Sequence, residues 1–189
     1  MEETTTMYTA TALTQMPHSD LLSMFSTLQA PTLSEMTGEF NGTPLKQPTI
    51  FRAVVAAVKV RNPLYLWTAK GFRPVDETTG RGYNVHLRAP GGRRVLRDPM
   101  TTSVGLSDFD GLPAFRLDYR TFDTLNGTMN LLDDVRRVTG DLYLGFGMLG
   151  FTDRQRSVPQ PFMFERTSRP YSSDVGVRRS EQRHGAPIA

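Results

Sequence analysis

The chain has 189 residues, of which 38% are hydrophobic and 22% charged, with a net charge of +3 and no cysteine. This composition is typical of one globular domain, and it excludes disulfides, thiolate–metal sites and cysteine nucleophiles. The N-terminus lacks the basic and apolar regions of a secretory signal, and no apolar run reaches the roughly 18–20 residues that span a bilayer. We therefore expect a cytoplasmic protein with no membrane span.

The positive charge is concentrated near the C-terminus. Residues 167–189 carry four Arg against one Asp and one Glu, whereas the rest of the chain is close to neutral. A nucleic-acid-binding protein concentrates basic charge on its folded body, so we do not expect a nucleic-acid partner. The pattern divides the chain into a flexible arm (1–17), a single domain (18–167) and a disordered basic tail (168–189).

The first predicted helix spans about residues 19–29. An apolar stripe recurs there at helical spacing, Ser19 or Asp20 can cap its start, and Pro31 stops it. The stripe consists of Leu21, Met24, Phe25 and Leu28.

Residues 48–60 fit two structures. Pro48 suits the first position of a helix, and Ile50, Phe51 and Val54 fit helical spacing. The valines alone would suit a strand. We favour a helix.

Most of the remaining chain alternates between apolar and polar residues, as short strands do. Turn residues such as Pro90-Gly91-Gly92 and Asp110-Gly111 separate these segments. A meander of short strands must hide its edges, and closure into a small antiparallel barrel does so. The predicted strands cover 36–45, 64–72, 82–88, 94–97, 100–107, 114–119, 134–138, 142–149 and 161–166, with 122–132 as a helical or irregular connection.

The order of short motifs resembles the bacterial GXWXG and DUF4334 family pair over roughly residues 20–166. Phe40 stands where the family usually has Trp, and Thr68-Ala69-Lys70 departs from its Trp-Gly-Lys pattern. The resemblance implies a calycin-like or lipocalin-like fold: mainly β, a small antiparallel β-barrel with one or two N-terminal helices. It implies no established chemistry. The motifs that carry it are 38–42, 66–72, 110–119, 134–138, 142–145 and 161–166.

Common catalytic motifs are absent from the sequence. His18, His86 and His184 have no metal-binding spacing, and no Gly-x-Ser-x-Gly elbow occurs. The string from Gly145 to Gly150 matches G-x-G-x-x-G, but its flanks are β-like, so we interpret its glycines as curvature positions. We expect no metal and no cofactor.

The remaining signal is a barrel whose strands carry aromatic and polar side chains, the usual lining of a small-molecule pocket. Lys70 or Arg136 would anchor an acidic or carbonyl end of the ligand. The predicted ligand-binding residues are Trp67, Lys70, Tyr83, Asn84, Tyr119, Asp134, Arg136 and Phe162, and the catalytic candidates are His86, Asp118 and Tyr143.

Three functions fit this pattern. The first is binding of a mostly apolar, lipid-like or polyketide-like molecule inside the barrel. The second is a cofactor-independent cyclase or isomerase that acts on such a metabolite. The third is a structural protein with a filled barrel, against which a cavity of roughly 300 Å³ or more would argue. The sequence leaves two alternatives for the oligomeric state, a monomer and a homodimer.

The strand that carries Asp134 and Arg136 gives a sharper alternative. These residues share one face and Val135 takes the other. Either Val135 points inward and the charges are solvated, or the charges point inward and must be paired. In the second case Asp118 on the preceding strand is the expected partner of Arg136.

Overall fold

The computed structural model of the protein describes residues 8–48, 61–62 and 65–179. The helix predicted over 48–60 lies outside these residues, apart from Pro48. The described helices are α1 (Ala10–Gln15), α2 (His18–Phe25), α3 (Leu125–Thr128) and α4 (Asp153–Arg156). The strands are β1 (Gly38–Pro44), β2 (Arg61–Asn62), β3 (Tyr65–Pro74), β4 (Thr79–Arg88), β5 (Arg93–Leu106), β6 (Pro113–Asp118), β7 (Leu132–Arg137), β8 (Leu142–Met148) and β9 (Gln160–Arg166).

Eight of these strands close into an antiparallel barrel. From β3 to β9 each strand pairs with the next in the chain, and β1 closes the ring by pairing with both β3 and β9. The short β2 pairs with the beginning of β3. The predicted class, a mainly β antiparallel barrel with N-terminal helices, is confirmed. The segments predicted at 94–97 and 100–107 belong to one strand, β5, which continues through Asp98 and Pro99.

One end of the barrel is filled, and we call it the plugged end. There β3 and β9 finish and β1 and β8 begin, and the segment before β1 inserts Met36 into the interior, with Leu33 packed beside it. The opposite end is called the cavity end. The buried interior cluster consists of Met36, Phe40, Phe72, Met100, Phe115, Leu117, Tyr119, Val135, Tyr143, Phe162 and Phe164.

Helices α1 and α2 cover part of the outer wall. The stripe predicted for the first helix is correct, since Leu21, Met24 and Phe25 are buried, although α2 ends at Phe25 and Pro17 occupies its N-cap. Residues 10–15 are not a loose arm: they form α1, whose start Thr9 caps and whose Leu13 is buried. The two helices pack on outward side chains of β8 and β9, which include Leu142, Leu144, Phe146 and Met163.

The described part of the tail also lies on the barrel, in contrast to the disordered tail expected from the sequence. The centres of the Tyr171 and Tyr83 rings lie 4.7 Å apart. Asp174 accepts two hydrogen bonds from Arg73, at 2.9 and 2.6 Å. Arg178 forms a β-bridge with Phe122. The sequence-based expectation rested on polarity, whereas an aromatic contact and an ion pair hold this segment.

Within residues 8–48, 61–62 and 65–179, no helix is long and apolar enough to cross a membrane.

Candidate functional site

The cavity end of the barrel contains a cavity of about 290 Å³. It lies where β1, β4, β6 and β8 finish and the strands that follow them begin. Its wall is apolar on one side and polar on another. The apolar lining includes Trp67, Leu125, Leu131, Leu149 and Phe162, and the polar lining includes Lys70, Asn84, His86, Arg97, Asp98 and Asp133.

Two β-bulges shape this lining. Between β3 and β4 the register shifts between Trp67 and Ala69, so that Trp67 and Lys70 line the same cavity although they are three positions apart. In a regular strand, residues three apart point to opposite faces, and an extra bulge residue cancels that difference. A second register shift, between β4 and β5, places Asp98 in the wall.

Two glycines make room for the aromatic wall. A Cβ atom on Gly42 would come within 2.4 Å of the Trp67 ring, and one on Gly145 within 2.2 Å of the Phe162 ring. These rings lie on the backbone of neighbouring strands, 6.3 Å apart and nearly perpendicular. Gly145 belongs to the G-x-G-x-x-G string, and its place under Phe162 is the physical reason for a glycine there.

A buried lysine forms the centre of the polar wall. The Lys70 ammonium is hydrogen-bonded to Asn84 Oδ1 at 2.9 Å and to the Tyr119 hydroxyl, and it lies 3.1 Å from Asp133 Oδ2. The Tyr119 hydroxyl donates to Asp133 Oδ2 at 3.2 Å. Only 6% of the Lys70 side chain and 5% of the Asp133 side chain are exposed, so this is an ion pair shielded from water.

The hydrogen bonds continue from this pair toward β5. The Asn84 amide donates to Asp98 Oδ2 at 3.2 Å, and the same oxygen lies 3.9 Å from His86 Nε2. Asp98 has a backbone φ of 50°, in the left-handed region that few residues other than glycine adopt. Strained backbone of this kind clusters at ligand sites. An aspartate and a histidine therefore lie side by side in the cavity wall.

Burial sets the protonation of two groups here. It raises the pKa of Tyr119 well above its usual value, and the negative charge of Asp133 adds to the effect, so the hydroxyl stays protonated. Burial lowers the pKa of His86, and although Asp98 opposes this, the nearby Arg97 and Lys70 charges reinforce it. The imidazole is therefore mostly neutral near pH 7, where it can accept a proton.

The structure brings together five of the residues predicted from the sequence. Trp67, Lys70, Asn84 and Phe162, predicted as ligand-binding, and His86, a catalytic candidate, all line the cavity. Tyr119 is fully buried behind the lining, where its hydroxyl contacts Lys70, Asn84 and Asp133.

Tyr83 is placed elsewhere. It points out of the barrel, where its hydroxyl donates to Glu39 Oε1 at 3.0 Å and accepts from the Ser172 amide at 2.8 Å. Tyr83 is adjacent to Asn84, which faces the cavity, so strand alternation turns it to the outer wall.

Asp134 and Arg136 also leave the cavity, and neither alternative posed by the sequence is correct. Val135 points inward, yet both charged residues are fully buried on the outer wall, beneath α2 and the β5–β6 loop. Ser107 donates to Asp134 at 2.6 Å. Arg136 donates to Asp110 at 2.6 and 2.7 Å and to the Phe25 carbonyl at 2.9 Å. A layer packed outside the barrel wall accounts for the burial.

The other two catalytic candidates lie outside the cavity. Asp118 points outward and pairs with Arg120 at 2.7 Å rather than with Arg136. Tyr143 is buried near the plugged end, where its hydroxyl donates to the Gly140 carbonyl at 3.1 Å and accepts from Arg166 at 2.7 Å. The structure therefore keeps only His86 of the three as a group that lines the cavity.

Sequence reasoning missed several lining residues, of which Arg97, Asp98 and Asp133 carry charge. Strand alternation could have identified Asp133, because it lies two residues before the inward Val135. Asp98 depends on a bulge that the sequence signals only through Pro99 in mid-strand. The part of the chain that the structure describes holds no cluster of three or more His, Asp or Glu side chains placed to bind a metal ion.

No protein-family model and no curated protein matches the chain. Among solved structures, the chain is similar to the crystal structure of a protein from Thermomonospora curvata. The TM-score is 0.51 at 13% sequence identity, over 80% of this chain and 88% of that one. At this identity the likeness shows the fold alone, so the resemblance to the GXWXG and DUF4334 families stays a prediction.

Proposed function

We propose that the protein binds a small, mostly apolar molecule in the cavity at the cavity end of its barrel. The observation that carries the proposal is the cavity itself. About 290 Å³ of the interior is left open between aromatic and aliphatic side chains, beside the buried ion pair of Lys70 and Asp133. Ligand pockets combine an apolar wall with a few fixed polar groups, and their volumes begin near 300 Å³.

The size of the cavity limits the ligand to the scale of about two or three fused or linked rings. A lipid-like or polyketide-like metabolite of that size fits the wall that Trp67, Leu131 and Phe162 form. A filled structural barrel is the less supported alternative, because protein interiors rarely leave voids much larger than a water molecule.

The fluorescent probe N-phenyl-1-naphthylamine tests the proposal, because its emission rises when it leaves water. We expect saturable binding to the purified protein, together with a change in the emission of Trp67, the chain's one tryptophan. Native mass spectrometry of the same preparation would reveal a co-purifying molecule and its mass.

A matched pair of variants locates the probe. Leu131→Trp fills the cavity and should weaken binding, whereas Leu66→Trp makes the same change at a residue that is 40% exposed. Equal affinity of both variants and the wild type would place the probe outside the cavity and contradict the proposal.

One observation favours a second function, a cofactor-independent cyclase or isomerase acting on such a molecule. His86 and Asp98 lie side by side in the cavity wall, and Asn84 holds the carboxylate. In this function the neutral imidazole would accept a proton from the bound molecule and return it at another atom, and Asp98 would stabilise the imidazolium in between.

Proton transfer leaves an isotopic trace. If the protein is a catalyst of this kind, a co-purified ligand incubated in deuterium oxide should gain deuterium at carbon with the wild type and not with His86→Gln. Equal incorporation with both proteins would exclude the role of His86.

A further inference from the structure

The charged groups around the cavity balance in number, and one pair of them, Lys70 and Asp133, is in direct contact. Among the described lining residues, Lys70 and Arg97 are cationic and Asp98 and Asp133 are anionic. We propose that the cavity selects uncharged ligands that carry a hydroxyl or N–H group, and that it discriminates against anions. This inference rests on the proposed function and names its ligand class.

Lys70 looks like an anchor for an acidic ligand, but its hydrogen bonds are used within the protein. The Lys70 ammonium donates hydrogen bonds to Asn84 and Tyr119 and forms an ion pair with Asp133. Its charge also lies 5.3 Å from the centre of the Trp67 ring and 5.9 Å from that of Phe162, close enough for cation–π attraction. A ligand carboxylate would have to displace one of these partners.

Displacing Asp133 from Lys70 is unfavourable because the Asp133 carboxylate is held in the barrel interior. It lies on β7, inside the barrel, 4% exposed and hydrogen-bonded to Tyr119. A second carboxylate beside it would add like-charge repulsion to the loss of hydration, and both effects are large where water is excluded. An anionic ligand therefore meets a lysine whose positive charge is already neutralised.

The two carboxylates offer acceptors to a neutral ligand. The contacts that the described residues make to Asp133 reach Oδ2, and its Oδ1 faces Gly147, where a Cβ would come within 3.0 Å. The described side-chain contacts of Asp98 likewise reach Oδ2. One oxygen of each carboxylate is thus left for a ligand donor, which points to a hydroxyl or N–H group on the ligand.

Three naphthalene compounds that differ in one group test this inference by displacing N-phenyl-1-naphthylamine. They are 2-naphthol (uncharged, one donor), 2-methoxynaphthalene (uncharged, no donor) and 2-naphthoate (anionic). We expect 2-naphthol to compete best, 2-methoxynaphthalene to compete more weakly, and 2-naphthoate to bind about tenfold or more weaker than 2-naphthol, given the loss of hydration of a buried charge.

Two neighbouring substitutions test the assigned cause. Asp133→Asn keeps the shape and removes the charge that balances Lys70, so 2-naphthoate should gain affinity relative to 2-naphthol. Asp134→Asn makes the same change at a residue buried on the outer wall and should leave that ratio unchanged. If Asp133→Asn does not fold, the relative affinities of the three compounds for the wild type still test whether the cavity discriminates against anions.

The outcomes separate the inference from the proposed function. If N-phenyl-1-naphthylamine does not bind, the proposed function fails. If it binds and 2-naphthoate displaces it as well as 2-naphthol does, the function stands and the charge selection is wrong. If 2-methoxynaphthalene equals 2-naphthol, the carboxylates do not accept a hydrogen bond from the ligand, and that part of the inference is overturned.

Discussion

The two ends of the barrel use the same strands for different purposes, and the change takes place within two residues. On β3 the inward Phe72 belongs to the filled interior, whereas the inward Lys70 lines the cavity. On β7 the same step leads from Val135 to Asp133. On these two strands the polar inward position lies at the end that holds a cavity, and the apolar one lies at the end that is packed. Stability should therefore depend most on the plugged end and ligand binding on the cavity end.

Arg136→Met should give the largest effect on stability. The guanidinium is fully buried near the plugged end and donates to Asp110 and to the carbonyls of Phe25, Leu112 and Pro113. Removing it leaves the Asp110 carboxylate, only 15% exposed, without its cationic partner, and we therefore expect a loss of about 3 to 5 kcal/mol in the free energy of unfolding. Urea denaturation measures this loss.

The control is Arg120→Met, which removes a partly exposed ion pair with Asp118 and should cost less than about 1 kcal/mol. At a temperature where Arg136→Met is folded, its affinity for N-phenyl-1-naphthylamine should equal that of the wild type. A selective loss of affinity would give Arg136 the ligand-binding role that its position outside the barrel argues against.

Two phenylalanines compare the ends directly. Phe115→Ala removes a ring whose centre lies 5.5 Å from that of Phe72 in the filled interior. This change should lower the free energy of unfolding by about 3 to 5 kcal/mol. Phe162→Ala should cost less, because one side of that ring faces the cavity and already lacks contacts. Probe affinity should fall for Phe162→Ala and stay near wild type for Phe115→Ala. The opposite pattern in denaturation and titration would reverse the proposed division between the ends.

Gly145→Ala should act on the cavity through a neighbouring ring. The new methyl group would overlap the Phe162 ring, and overpacking of this kind costs about 1 to 3 kcal/mol. The ring has to move, so probe affinity should also fall. Gly140→Ala is the control, since a Cβ there meets nothing within 4 Å. If Gly145→Ala left both quantities unchanged, the close contact of Phe162 with β8 would not shape the cavity.

The smallest effect concerns pH. Burial lowers the pKa of His86 below its usual 6.5, so below that value the unfolded chain binds more protons than the folded one. The stability that His86 contributes is therefore present above its unfolded pKa and lost as the pH falls through its folded pKa. The charged groups that act on it are Asp98, Arg97 and Lys70.

Comparing the wild type with His86→Gln isolates this contribution from other titrations. On going from about pH 7.5 to about pH 5, the free energy of unfolding should fall more for the wild type than for the variant, because His86 of the unfolded chain binds a proton more readily than His86 of the folded protein. A parallel pH dependence of the two proteins would show that His86 titrates as an exposed histidine.

Much of the candidate site could be predicted from strand alternation and residue type. Trp67, Lys70, Asn84, His86 and Phe162 were identified because aromatic and polar residues on short strands are typical of a pocket wall. The errors arose where a residue was assigned to the wrong face of its strand. Tyr83, for example, is adjacent to Asn84 and therefore points to the opposite side of the barrel wall. A pattern of period two divides residues into two sets but does not say which set is inside.

The amino-acid sequence by itself determined the antiparallel barrel, because alternation, turn residues and the need to hide strand edges are local or generic properties. Only the tertiary structure decided which polar residues meet. Asp134 and Arg136 are buried because α2 and the β5–β6 loop pack over the outer wall, which no pattern within β7 indicates. Trp67 and Asp98 reach the cavity through register shifts between paired strands. Such shifts depend on both partners of a pair, so they become visible only when the strands are assembled.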